Sequence, residues 1–224
     1  MTEKSSKKWL WLSVVMITLS IILLLLPADR GKRNHDDIRE LADEKGDSPL
    51  YVEQVKDGDT FLLSDEGQVR LIGVDTPEEG QPFFERANAF AESILLGEEV
   101  HIEYDIEPLD RYGRRLVYLF VDSISYNKLV IDSGLASVYL FKKNRRLAKQ
   151  LISAQREARS SKVGIWSLPD PVPEDYYISP SGSFRFHRPL CPNIKSTDLS
   201  RARRFETRDE PLDMGLSSCR TCQP

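Results

Sequence analysis

Three short apolar runs, Tyr51 to Val55, Thr60 to Ser64 and Gln68 to Val74, follow one another with little between them except the turn-forming pairs Asp57-Gly58 and Glu66-Gly67. Runs rich in Val, Leu, Phe and Ile, punctuated in this way, specify antiparallel strands, because Asp-Gly supplies the backbone that a tight hairpin needs. The period then changes. Phe84, Ala87, Ala91, Ile94 and Leu95 recur at helical spacing, and Gly97 supplies the stop. Val100, Ile102 and Tyr104 alternate with polar residues as a half-buried strand does, and Arg115 to Val121 is a continuous run suited to a buried one. Asn127 is placed to cap a short helix carrying Leu129, Val130 and Ile131 and ended by Gly134. Leu147, Leu151, Ala154 and Ala158 step along a longer helix that ends before Gly164 and Trp166. Three strands, a helix, two strands and further helices predict an α+β fold, a five-stranded β-barrel of the OB type with three helices, over residues 50–167.

The flanking segments read differently. Trp9 to Leu26 is an uncharged apolar run of 18 residues preceded by Lys4, Lys7 and Lys8. It matches the roughly 17–25 residues that cross a bilayer and exceeds the roughly 7–15 of a signal-peptide core. Residues 1–26 are therefore expected to form a transmembrane anchor, with the body of the chain outside the cytoplasm and held at the cell membrane by a single pass. A cleaved signal peptide and a secreted protein is the alternative. Residues 27–49, mostly charged and small polar, read as a solvated tether. Pro169, Pro171, Pro173 and Pro180 rule out a continuous helix or central strand over 168–180, which is expected to be a linker before a small module at 181–224.

The formal charge of −4 excludes a protein that coats nucleic acid through bulk electrostatics, so any phosphate contact must be local. Local charge is what the barrel segment offers. Asp59 falls at a hairpin turn and Asp75 at a strand end, where one rim of a barrel can gather them. With the Thr76 carbonyl they make an all-oxygen set suited to calcium or magnesium. Asp57 reads as a turn residue or outer helper. Arg70 and Arg114 present planar donor forks that match phosphate oxygens, and Glu78, fixed by Pro77, is a carboxylate able to handle a water. Each residue alone has an ordinary structural reading, as turn, strand exit or surface charge; the combination is the inventory of a metal-dependent phosphodiesterase.

The segments Asp57-Gly58-Asp59-Thr60, Arg70-Leu71-Ile72-Gly73-Val74-Asp75-Thr76-Pro77-Glu78 and Asp110-Arg111-Tyr112-Gly113-Arg114, in this order, resemble the staphylococcal nuclease (thermonuclease) family. The resemblance covers about Leu50 to Trp166. It implies that Asp59, Asp75 and the Thr76 carbonyl hold calcium, that Arg70 and Arg114 clamp phosphate, and that Glu78 orients or deprotonates the attacking water. It further implies a nuclease acting on DNA, or on RNA, that leaves 3′-phosphate ends. Tyr112, Tyr139 and Phe141 are candidates for stacking on bases. A helix entry reading Phe83-Phe84-Glu85-Arg86-Ala87 departs from the aromatic-Gly-x-Glu-Ala common in the family. The rival reading is a non-catalytic OB-type nucleic-acid-binding module tethered for DNA capture, although a binder has no need of the whole charged set.

The three cysteines all lie in the last segment, as His187-x3-Cys191 followed at a distance by Cys219-x2-Cys222. Two ligand pairs at this spacing suit a tetrahedral structural zinc, which helps a small fragment to fold with little core; a disulfide between two of the three is the alternative. The wording Phe186-His187-Arg188-Pro189-Leu190-Cys191, with Cys219-Arg220-Thr221-Cys222-Gln223-Pro224, resembles the Ada-type metal-binding domain. Residues 185–224 hold eight Lys or Arg against five Asp or Glu, so the module is also a candidate phosphate-binding surface. His35 and His101 carry no such pattern.

Overall fold

A computed structural model of the chain describes residues 49–141 and 143–224. They belong to the compact unit Asp47–Pro224, one of two into which the chain divides. The expected membrane anchor, with His35 and almost all of the tether, lies outside the described residues. Among the described residues no helix is long and apolar enough to cross a membrane.

The expected meander is present as β1 (Leu50–Asp57), β2 (Thr60–Leu63) and β3 (Gly67–Leu71), paired antiparallel in sequence order. Two further strands, β5 (Glu99–Glu103) and β6 (Arg115–Val121), complete the sheet, with β4 described below. β5 pairs antiparallel with both β1 and β6. A parallel pairing of β3 with β6, with Val69 opposite Arg115 and Leu71 opposite Val117, closes the ring. The result is a closed five-stranded barrel whose inward residues, Val52, Phe61, Val69, Leu71, Val117 and Leu119, are fully or almost fully buried.

The third run is not one strand. Gly73 adopts φ +77, turning the chain out of the barrel, and a Cβ there would lie 2.6 Å from a Leu151 methyl. After this turn β4 (Gly73–Asp75) pairs instead with β8 (Ser137–Tyr139), a short strand that the sequence did not announce. That turn is what carries Asp75 to the rim.

Helix α1 (Phe84–Leu95) closes one end of the barrel with Ala87, Ala91 and Leu95, as its spacing predicts. Its N-terminal neighbour Phe83 holds φ +70, unusual for a bulky residue, with Arg86 lying over the Phe83 ring at 5.0 Å. β7 (Ile124–Ser125) leads into α2 (Tyr126–Asp132). The cap of α2 is Ser125, whose hydroxyl accepts from the Lys128 N–H at 3.4 Å; it is not Asn127. Asn127 is completely buried, its amide donating to Ile72 O at 2.8 Å and accepting from the Leu119 N–H at 2.9 Å. A polar residue beside a helix start reads as a cap from sequence; here it ties the helix to the outgoing turn and to β6. Asn127→Ala leaves two buried backbone groups unmet and is expected to cost about 2–4 kcal/mol, measurable as a lower urea midpoint.

Helix α3 (Ala148–Ser160) buries Leu151, Ala154 and Ala158 as expected, and also Gln155. Gly134 approaches the following Gly164–Ser167 turn so closely that a Cβ would lie 2.3 Å from Val163 O.

The stretch read as a linker ends in β9 (Tyr177–Ser179), which pairs antiparallel with β11 (Arg203–Phe205). Between them lies β10 (Arg185–Phe186), parallel to β12 (Ser217–Ser218), with the single-turn helix α4 (Asp209–Asp213) before the latter. A small core of Tyr177, Phe186, Phe205, Leu212 and Leu216, with Trp166 against it, holds this segment together. It is joined to the barrel side by backbone and side chain. Gln155 accepts from the Val138 N–H and donates to Leu212 O, Leu140 N–H donates to Gly215 O at 2.9 Å, and Arg159 pairs with Asp213 at 2.9 Å.

Candidate active site

The registers of β2, β3 and β6 assemble the site. Thr60 stands opposite Arg70 across the β2–β3 hairpin, and Arg70 stands opposite Leu116 across the closing pair. Arg70 thus lies between the Asp59 turn and the strand that follows the Asp110–Arg114 turn. Its guanidinium is ion-paired to Asp59, lies 3.7 Å from Asp75 and donates to Val74 O at 3.2 Å. Burial lowers the Arg70 pKa, against the raising effect of Asp75, and from so high a starting value the group stays charged.

Asp59, Asp75 and Thr76 are all buried. Asp59 accepts from the Thr76 N–H at 3.1 Å and from the Thr60 hydroxyl at 3.1 Å, which ties the Asp59 turn to the residue that follows Asp75. Asp57 caps the same turn by accepting from the Asp59 N–H. Glu78 is half-exposed beyond Pro77, its N–H bonded to the Gln81 side chain. Arg114 immediately precedes β6. Its Nε donates to Asp110 at 2.7 Å, and Asp110 also accepts from the backbone N–H groups of Tyr112 and Arg114. Tyr112 is exposed, with the guanidinium groups of Arg111 and Arg114 near its ring at 4.7 and 5.6 Å.

Arg70, Asp75, Glu78, Tyr112 and Arg114 line one cleft of about 420 Å³, with Tyr139 and Phe141 on its wall. Asp59 and Thr76 sit behind that lining, joined to it through Arg70 and Asp75. The expected residues are therefore neighbours, and Asp59, Asp75 and the Thr76 carbonyl offer oxygen ligands, the kind a hard divalent cation takes.

The staphylococcal nuclease homologue family matches residues 68–168. A thermonuclease from Staphylococcus intermedius is 34% identical over 166 residues, covering 68% of this chain and 95% of its own length. The chain belongs to the staphylococcal nuclease family. A thermonuclease from Staphylococcus hyicus is 34% identical over 125 residues, 52% of this chain and 74% of its own. Endonuclease YncB of Bacillus subtilis (strain 168) is 28% identical over 195 residues, 71% of this chain and 92% of its own.

In this nuclease-family chain the cleft holds groups that the sequence reading missed, and they come from beyond the family match. Arg185 lies 3.0 Å from Asp75 and 4.6 Å over the Tyr139 ring. Arg220 lies 2.5 Å from Asp75 and is ion-paired to Glu78. The Ser217 hydroxyl donates to Asp75 at 2.7 Å. Burial opposes ionisation of Asp75, but the charges of Arg185 and Arg220, with Ser217, hold its carboxyl below the usual carboxylate range. The only advance signal was the local basic excess after residue 185.

His187, Cys191, Cys219 and Cys222 also come together, with their ligand atoms within 4.8 Å of one another. Cys191 and Cys219 Sγ are 3.9 Å apart, close to the roughly 3.8 Å between sulfurs on a tetrahedral zinc with bonds of about 2.3 Å. All three cysteines are free. The Arg188 N–H points at Cys222 Sγ at 3.3 Å, and the Asn193 amide at Cys219 Sγ at 3.6 Å, the outer-shell donors a thiolate site uses. Burial and the Arg185 charge lower the His187 pKa, so the imidazole is neutral as a ligand must be. Burial opposes ionisation of Cys219, yet the backbone N–H groups of Cys222 and Thr221 hold that thiol below its ordinary value. Burial pushes the Cys222 thiol up to about 12. The residues fit a structural zinc.

Proposed function

We propose that this chain is a calcium-dependent nuclease that hydrolyses phosphodiester bonds of DNA, or of RNA, leaving 3′-phosphate ends. The single observation that carries the reading is the convergence of Arg70, Asp75, Glu78 and Arg114 on one cleft in a chain of the nuclease family. Relatives named thermonuclease and endonuclease support the same class.

Asp59, Asp75 and the Thr76 carbonyl are the residues to hold calcium, which supplies positive charge against the phosphoryl oxygens when bound. Arg70 lines the cleft and is held in place by Asp59 and Val74 O. Arg114 also lines the cleft, steadied by Asp110. Both arginines stabilise charge that grows on the phosphorus oxygens as water attacks in line. Glu78, less buried than the two aspartates, orients that water and accepts its proton. Tyr112, exposed at the cleft, offers a ring for a base, while Tyr139, beneath Arg185, and Phe141 line the wall.

The cysteine–histidine cluster is proposed to hold a structural zinc, in a module similar to the Ada-type metal-binding domain. The apolar run Trp9 to Leu26 supports a single-pass membrane anchor that presents the nuclease outside the cytoplasm. The test is to incubate detergent-solubilised full-length protein with labelled DNA and calcium and examine the fragment ends. The expected result is fragments ending in 3′-phosphate. Binding in a gel shift with no cleavage would instead support the non-catalytic module.

A further inference from the structure

We propose that Arg220, carried by the C-terminal module, is a third phosphate-gripping arginine of the cleft, and that the Cys219–Cys222 turn exists to place it there. The proposal rests on the nuclease reading and deepens it.

Position is the first argument. Arg220 touches both Asp75 and Glu78, the expected metal ligand and the expected base. A phosphodiester under attack must be within reach of both the metal and the attacking water, so a guanidinium that reaches both carboxylates stands beside the place that phosphate would take. Two planar donor pairs suit phosphate oxygens as well as they suit carboxylates.

Availability is the second. Arg185 is committed to protein partners: it donates to the Ser217 hydroxyl at 3.0 Å and to Ser218 O at 2.8 Å, stacks on Tyr139 and pairs with Asp75. It positions the module against the rim. Arg220 is more exposed, and Asp75 and Glu78 are its partners among the described residues. Both carboxylates are expected to change partner once calcium and water arrive, which leaves Arg220 to turn to the phosphate.

Charge is the third. Nine charged residues line the cleft, four acidic and five arginine, and two of those arginines are Arg185 and Arg220. The barrel alone therefore gives this lining a negative balance, a poor receptor for a polyanion; the module reverses the sign. The turn that holds Arg220 is itself fixed from several sides. Cys219 N–H donates to Phe186 O at 2.9 Å, Asn193 bonds the Thr221 hydroxyl at 2.8 Å, and Arg188 N–H points at Cys222 Sγ.

The experiment compares wild type, Arg220→Ala and Arg220→Lys in the full-length protein, reading kcat and KM on a labelled oligonucleotide across calcium concentration, with zinc content as the folding check. Arg220→Ala is expected to lower kcat/KM about 10- to 100-fold, the range for losing one hydrogen bond to a charged group. Arg220→Lys restores part of it, and zinc content stays at the wild-type value. An unchanged rate, or a higher rate at lower calcium, would overturn the proposal and make Arg220 a shield over Asp75. Should wild type itself not cleave, the nuclease reading falls. Affinity for the same oligonucleotide then decides: weaker binding by Arg220→Ala supports the grip, and equal binding overturns it.

Discussion

Arg70→Ala is expected to lower kcat about 100- to 1,000-fold, the effect of removing one preorganised donor from a developing oxyanion. Arg70 has two jobs that alanine abolishes together. It faces the cleft, and it is the shared partner of Asp59 and Asp75, which are buried acids. The stability loss must therefore be separated from the catalytic one. Arg70→Lys keeps the charge between the two aspartates but not the planar fork, so it should recover much of the stability and little of the rate. Glu78→Ala and Arg114→Ala are expected to fall in the same class of kinetic effect. Glu78 is half-exposed and its loss should leave the urea midpoint nearly unchanged. Single-turnover cleavage beside denaturation curves distinguishes these cases.

Removing metal from the cysteine–histidine cluster is expected to have the largest structural effect. Metal binding in small zinc modules is worth about 10–16 kcal/mol, and the core beneath this cluster is only a handful of side chains. Cys219→Ser should abolish zinc in elemental analysis, release the C-terminal module and lower the thermal midpoint. Activity should fall with it, because Arg185 and Arg220 leave the rim, and added calcium should not restore it. Protein purified reduced and without chelator that contains no zinc would contradict the assignment, and a mass two hydrogens short of the reduced chain would identify a disulfide instead.

The barrel was legible because its strands are short, apolar and separated by turn pairs whose chemistry is local. The helix α1 was legible for the same reason, its period ending at Gly97. Three features were not. The break at Gly73 depends on the antiparallel partner strand β8 and on Leu151, both far along the chain. Asn127 reads as a cap because its neighbours are those of a helix start, whereas its partners Ile72 and Leu119 lie on other elements. Arg185 and Arg220 stand more than a hundred residues from Asp75 in sequence, beyond a proline-rich stretch that reads as a boundary. The sequence named the carboxylates and arginines of the barrel rim by their pattern, but the second half of the cleft is visible only once the two parts are folded against each other.

The most direct measurement is the initial rate of cleavage of a labelled oligonucleotide by the full-length protein as free calcium is raised and then chelated. The account predicts no cleavage without calcium, a rate that saturates as the Asp59, Asp75 and Thr76 oxygens fill, and arrest on chelation. A rate indifferent to calcium, or saturable oligonucleotide binding with no cleavage at any calcium concentration, would contradict it.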